Sequence, residues 1–199
     1  MDKSDQYDLL QNLTSPVVAI TSRSTNSETN GMIANSAIRA SLVPECPRVA
    51  FYCFKAHYSH ELITASGLFC LHLLHREQFD LIRTLGFRSG QNNDKLADLP
   101  HEISERGLPI LSDAYGYFEC EVSNAMDAGP STFFMGDVVN TGRHPDHESL
   151  TLMDSSYFRE NLPASWKDDY RDNKREVQEW ASGRLEVDTE YCWTDPDSA

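Results

Sequence analysis

Positive charge is in short supply in this chain. Its 199 residues hold 17 Lys and Arg against 31 Asp and Glu, a net charge of −14. Such an excess disfavours nucleic acid and an anionic membrane surface as partners, since both need a basic face. The acid excess also serves solubility, and any anionic ligand would need its own local cations. Long apolar runs are missing as well: none approaches the roughly 18 residues of a membrane span. The opening "MDKSDQYDLLQN" is polar and acidic, without the apolar centre of a secretory leader. Cysteine is sparse and scattered. Cys46, Cys53, Cys70, Cys120 and Cys192 are odd in number and form no CxxC pair, which argues against a disulfide framework or a thiolate zinc site. Cys53, Cys70 and Cys120 fall in strand-like runs and read as small buried hydrophobes. A reducing, cytoplasmic compartment is the expectation.

What is present is strand pattern. "VVAITS" (17–22), "RVAFYCF" (48–54) and "LFCLHLL" (68–74) are β-branched, aromatic and apolar. "YGYFECEVSNAM" alternates, with Phe118, Cys120 and Val122 set against Tyr117, Glu119 and Glu121, which predicts a half-buried antiparallel strand. "STFFMGDVVNTG" is its expected hairpin partner. Asn30-Gly31 predicts a hairpin turn before a returning strand "MIANSAI". Two short helices are expected, over "SHELITAS" with Gly67 as C-cap and over "EQFDLIRTLGF". An opening helix would carry Tyr7, Leu9, Leu10 and Leu13, and "RSGQNNDKLADLPHEISERGLP" reads as loop. About six antiparallel strands without regular βαβ alternation predict a closed barrel with helices at its mouth. From residue 143 the chain turns acidic and aromatic, and "WKDDYRDNKREVQEWA" has the spacing of an amphipathic helix. The expected organisation is a barrel domain over 1–142 and an extension over 143–199 that packs on the barrel or on a partner subunit.

"GMIANSAIRAS" (31–41) is small, uncharged and rich in hydroxyls. Such a stretch lets a flat group approach the backbone, with Asn35, Ser36 and Ser41 adding polar side chains. Lys55 follows the next strand, and Ser59 and His60 stand where the short helix begins, a seat suited to phosphate. Arg39, Arg48, Lys55, His57 and His60 form a local basic cluster in an acidic chain.

These segments, in this order, resemble the flavin reductase-like family, whose fold is the FMN-binding split barrel. "GM-x-x-x-S", "S-L-x-P", the Lys55–Ser59 loop, "S-G-x-F-x-x-x-x-L", the Asp-Lys loop, "G-x-P-x-L-x-x-A-x-x-x-x-E-C-x-V" and a closing "x-F-x-G-E-V"-like strand cover about residues 12–142. The resemblance implies a mainly β split barrel with short helices and a C-terminal helical extension. It implies a homodimer that holds FMN, or less often FAD, and is reduced by NADH or NADPH. Met32, Ala34, Asn35 and Ser36 would line the isoalloxazine, largely through backbone groups. Ser41 would reach ribityl or phosphate, and Phe54, Lys55, Ser59 and His60 would form the phosphate end. The flavin rather than a side chain would carry the hydride, and the acceptor would be free flavin, a partner oxygenase or a small molecule. Two positions depart from the family. Pro130-Ser131 stands where many reductases have Asp-His near the nicotinamide, and His72 stands where Asn is common. The first departure leaves open a flavin-binding electron carrier or sensor without nicotinamide activity, and a barrel recruited to another ligand such as haem is a third reading.

Other constellations are weak. His72-x-x-His75 and His144-x-x-His147 each lack a third placed ligand for a metal. No G-x-S-x-G elbow accompanies a Ser-His-Asp set. Asp168-Asp169 reads as a solvated helix face, and Trp166 and Trp180 as packing residues.

Overall fold

The computed structural model describes residues 9–10 and 12–187. Tyr7 and Cys192 lie outside the described residues, and Leu9 and Leu10 are helical. Among the described residues from 18 onward lie nine strands and four α-helices: β1 (Val18–Arg23), β2 (Thr29–Ala34), β3 (Ile38–Arg39), β4 (Arg48–Phe54), α1 (Tyr58–Ser66), β5 (Leu68–Leu73), α2 (Phe79–Gly86), β6 (His101–Ile103), β7 (Pro109–Leu111), β8 (Gly116–Asp127), β9 (Ser131–Arg143), α3 (Ser155–Asn161) and α4 (Lys167–Ser182). Seven strands form one sheet in the order β2-β1-β5-β8-β9-β4-β3, and β6 and β7 make a separate hairpin. Each neighbouring pair is antiparallel.

The sheet curls until β2 and β4 face each other without a backbone ladder between them. Side chains close this split. Cys53 Sγ lies 3.5 Å from Met32 Sδ. The Ser36 hydroxyl donates to the Tyr52 carbonyl at 3.3 Å and accepts from the Tyr52 N–H at 3.2 Å. The chain is therefore a mainly β split barrel.

β1 explains why "VVAI" is apolar without alternation. Val18 and Ile20 enter the barrel interior, while Val17 and Ala19 enter a second core under the helices. A strand buried on both faces loses the period of two. The interior is filled by Phe51, Phe69 and Phe134, with Phe51 edge-on to Phe69 at 5.1 Å. The outer core joins α2, the 96–114 region and residues 153–162 through Ile82, Leu85, Leu96, Leu111, Met153 and Phe158. Met153 is tied in on both sides, its carbonyl accepting from Val17 N–H and its N–H donating to the Leu74 carbonyl.

Three expectations need correction. Asn30-Gly31 is not a turn but lies within β2, paired with Ser22 and Thr21. The reversal occurs at 24–28, where the Ser24 hydroxyl accepts from the Asn26 and Glu28 N–H groups and Ser27 adopts φ 69°. Glycine is needed at 31 for space, since a Cβ there would meet Leu85 Cδ2 at 2.7 Å. The stretch 101–111 is not all loop, because β6 and β7 form within it. Finally, Glu119 is only 2 % exposed. The alternation holds, with Phe118, Cys120 and Val122 all packed in the interior core, and Glu119 lies on the opposite face, where the β6–β7 hairpin reaches it. The Glu119 carboxylate accepts from Ser104 on the β6–β7 hairpin and from Asn140 Nδ2 at 3.2 Å. The returning strand "MIANSAI" is also interrupted, β2 ending at Ala34 and β3 beginning at Ile38, whereas at α1 local reading and structure coincide: Gly67 ends it with φ 69° and donates its N–H to the Ile63 carbonyl, as a left-handed cap should.

Candidate functional site

A groove of about 710 Å³ runs along the outer face of the split, between the β2–β3 connection, the end of β4, and helices α2, α3 and α4. Its size falls within the range of small-molecule sites. Asn35, Ser36, Tyr52, Phe54 and His57 line one side. Ile33, Ile82, Gly86 and Phe87 give it an apolar wall, and Phe158, Arg159, Tyr170, Asn173, Lys174, Val177 and Gln178 come from α3 and α4. A smaller cavity of about 320 Å³ lies between Tyr115, Tyr117, Arg143 and His147. No sequence-predicted site residue lines it.

The groove gathers three of the nine residues singled out above. Asn35 is exposed, and its carbonyl accepts a hydrogen bond from the Ser15 hydroxyl. Ser36 and Phe54 stand beside it. Met32 and Ala34 turn their side chains into the barrel interior. Because β2 is an edge strand, contact through its backbone stays open. Ser41 bonds within its own loop, accepting from Val43 N–H at 3.1 Å, and does not line the groove. Ser59 is withdrawn altogether: it is fully buried and accepts from Asn30 Nδ2 at 2.9 Å. Lys55 lies at the adjacent turn, where its ammonium pairs with Asp127 at 2.9 Å. Its N–H donates to the Pro130 carbonyl at 2.9 Å. His60 Nε2 sits 2.8 Å from Thr132 Oγ1, and burial, then the charge of Lys55, lowers its pKa. Ser131, at the departure from the family's Asp-His, is buried and pairs with Phe54 across the β4–β9 ladder.

His57 is the groove residue that a strand-and-loop reading places only in a basic cluster. It is the N-cap of α1 but makes no side-chain cap bond. Its ring stands edge-on to Phe54 at 5.7 Å. Nδ1 is buried with no partner among the described residues. Burial, then the charges of Lys95 and His60, push its pKa down to about 4, so the imidazole is neutral at physiological pH. Lys95 lies behind it, buried, with its ammonium donating to the Leu85 and Arg88 carbonyls at 2.7 and 3.1 Å. Burial lowers the Lys95 pKa to about 8. This cation satisfies the C-terminal carbonyls of α2, the helix that supplies Ile82 and Gly86 to the groove.

Two further histidines lie away from the groove. His72 is fully buried, and its Nε2 accepts from the Leu111 N–H at 3.1 Å, fastening β5 to β7. Burial pushes its pKa down to about 4. His147 stands edge-on to Tyr115 at 5.8 Å. Among the described residues, no three His, Cys, Asp or Glu side chains gather as a metal site. Nor is any described helix long and apolar enough to cross a membrane.

The residues fit a flat, phosphorylated ring system. The floor is open at Asn35 and Ser36, the wall is apolar and aromatic, a neutral imidazole with an unsatisfied nitrogen stands at one side, and a lysine lies at the next turn. The high molecular weight rubredoxin of Moorella thermoacetica is 34% identical over 124 residues, covering 61% of this chain and 53% of that protein. This chain thus spans about half of that relative. The FMN reductase (NADH) SmoA of Agrobacterium fabrum is 30% identical over 129 residues, covering 65% of this chain and 70% of that protein. Among solved structures, the NADH:FAD oxidoreductase SgcE6 of Streptomyces globisporus superposes with a TM-score of 0.67 at 24% identity, covering 77% of this chain and 88% of that one. The family model described as Flavin reductase like domain matches residues 10–161, and the chain belongs to that family.

Proposed function

We propose that the protein is a flavin reductase: it binds FMN in the groove and reduces it with a nicotinamide nucleotide for free flavin, a partner oxygenase or a small acceptor. One observation carries the reading: a groove of about 710 Å³ floored by Asn35 and Ser36 and flanked by Phe54 and His57. When bound, the flavin supplies the hydride chemistry. The chain's own residues bind and orient. Asn35 and Ser36 offer backbone and side-chain partners to polar ring edges, and Phe54 and Phe87 offer flat apolar surface. His57 offers a neutral nitrogen, and Lys55 takes the phosphate by exchanging Asp127 for it. Relatives named as an NADH-dependent FMN reductase and as reductase subunits of flavin-dependent monooxygenases support the choice of reaction.

The working unit in this proposal is a cytoplasmic homodimer. Exposed Ile38, Leu42, Val43 and Tyr52 form an apolar margin beside the groove, the kind of surface that marks an interface. Residues 1–142 are the flavin-binding unit in this reading, and within the 143–199 extension residues from 155 to 178 contribute the groove's outer wall. The test is a titration with FMN, then anaerobic addition of NADH. Bleaching of bound flavin supports the reductase, and failure to bind FMN overturns the reading. Lys55→Ala should weaken FMN binding by about 1–3 kcal/mol, the scale of a charge-assisted hydrogen bond. Unchanged affinity would remove Lys55 from the phosphate end. A second reading, an electron carrier without nicotinamide activity, is favoured by Ser131, a buried hydroxyl where the family's reductases carry an imidazole. Bound flavin that stays yellow under NADH but is bleached by dithionite would select it.

A further inference from the structure

Away from the groove, the smaller cavity opens at one end of the barrel, past the closed interior. Strand register sets its floor. Val18, Leu73, Gly116 and Arg143 stand side by side across β1, β5, β8 and β9, and Ile20, Leu71, Phe118 and Thr141 form the next row. Residues opposite each other in a ladder share a face of the sheet. Val18, Ile20 and Leu71 belong to the interior core, so both rows face the barrel interior. On the β1–β5 side the rows are apolar. On the β8–β9 side the last row ends in a glycine and an arginine. The cavity of about 320 Å³ lies there, with Leu73, Phe118, Thr141 and Arg143 in its lining. It shares no lining residue with the groove.

Glycine keeps this end of the ladder bare. A Cβ at Gly116 would meet the Gly142 carbonyl oxygen at 2.9 Å, and one at Gly142 would meet the Tyr117 hydroxyl oxygen at 2.9 Å. Glycine inside a strand marks such close approaches. Leu73 and Phe118 pack against the interior core and give the cavity an apolar floor. Tyr115, edge-on to His147, gives it an aromatic side. Beyond β9 the chain turns back, with the His144 N–H donating to the Tyr115 carbonyl at 3.0 Å and the Leu150 N–H to the His147 carbonyl at 3.1 Å. This turn brings His147 and Glu148 to the same cavity. His147 Nδ1 donates to the His144 carbonyl at 2.9 Å, which leaves Nε2 as the unengaged ring nitrogen. Arg143 and Glu148 are exposed, and neither side chain has a hydrogen bond or ion pair among the described residues.

The cavity is therefore apolar within and carries both signs of charge at its rim. A plain anion there would face Glu148, and a plain cation would face Arg143. A ligand that brings both charges satisfies both. We propose that this end of the barrel binds a free amino acid with an aromatic side chain. Arg143 takes the carboxylate, Glu148 and His147 Nε2 take the ammonium, and the ring lies on Leu73 and Phe118 beside Tyr115. The site is independent of the flavin reading.

Calorimetric titration of the full chain with L-phenylalanine tests it, alongside 3-phenylpropionate, which lacks the ammonium, and phenethylamine, which lacks the carboxylate. The wild type should bind L-phenylalanine with a dissociation constant of about 1 mM or tighter. Each half-ligand should bind at least tenfold more weakly. Arg143→Gln and Glu148→Gln should each weaken L-phenylalanine at least tenfold. Both positions are exposed, so the denaturation midpoint should hold, and FMN affinity should stay within twofold. A wild type that leaves L-phenylalanine unbound at about 10 mM overturns the site. So does 3-phenylpropionate binding as tightly as L-phenylalanine, because Glu148 would then take no part. Unchanged affinity in either variant also overturns it. A fall in FMN affinity equal to that for L-phenylalanine would do the same, since the substitutions would then act through the whole barrel.

Discussion

The two hydrophobic cores of this molecule are built on opposite faces of the same strand and behave differently. The interior core is closed. Phe51, Phe69, Ile20 and Cys53 have no solvent exposure, and the aromatic rings meet edge to face. The outer core borrows its parts from distant segments: β1, α2, the loop carrying Leu96, and residues 153–162. Its aromatic margin of Phe87, Trp166 and Tyr170 is only partly buried. A barrel interior must be filled because side chains from every strand converge on it. A layer of short helices on a curved sheet does not seal, and the groove is the unsealed part. The closed core and the open groove are thereby separated by the thickness of one sheet.

Substitution breaks this contrast most sharply. Phe51→Ala should cost about 3–5 kcal/mol, read as a drop in denaturation midpoint with little change in ligand affinity beyond that from lost fold. Phe158→Ala, at the groove's edge, should cost roughly half as much, because the space it leaves opens to the groove, and should alter flavin affinity directly. Equal costs for the two would mean that the outer core is as tightly closed as the inner.

Acid probes the same contrast. His72 is buried neutral, with a pKa near 4 in the fold against about 6.5 unfolded. Its contribution is intact above pH 6.5. As pH falls, the unfolded chain takes up the proton first, and stability declines until the folded pKa is passed, a loss on the order of 3 kcal/mol. His72→Asn should flatten that part of the pH–stability curve while an amide oxygen still accepts from Leu111. An unaltered curve would place the acid sensitivity elsewhere, with His57 the next group to test.

Two smaller effects address how the groove is held. Lys95→Met leaves two carbonyls at the end of α2 without their cation and should cost about 2 kcal/mol. It should also loosen FMN binding, because α2 carries Ile82 and Gly86. Ser36→Ala removes the clip across the split and should cost about 1 kcal/mol. Amide exchange at Tyr52 should speed up in that variant and not in Ser41→Ala.

The legible part of the sequence was local. "RVAFYCF" gave β4 with both its bounds, because β-branched and aromatic residues flanked by Pro47 and Lys55 admit few other conformations. Gly67 announced the end of α1. Asn30-Gly31 misled because a dipeptide that favours a turn is tolerated in a strand when a neighbour such as Leu85 needs the space. Glu119 misled because the β6–β7 hairpin, distant in sequence, meets the outward face of β8 through Ser104. Of the candidate groove's lining, Asn35, Ser36 and Phe54 stood out in a stretch of small residues and at a strand end. The withdrawal of Ser59 was not readable, since its hydroxyl is taken up by Asn30, a β2 residue distant in sequence.

By itself the sequence determined the strands, the helix caps and the scarcity of cations, because these depend on backbone preferences and composition within a few residues. The tertiary structure decided which faces met. Closure of the split by Ser36 on Tyr52, the neutral state of His57 under burial and neighbouring charge, and the wall that α4 adds across from Asn35 all join residues far apart in the chain. No local pattern specifies such meetings, since they arise from how a twisted sheet and short helices fill space together.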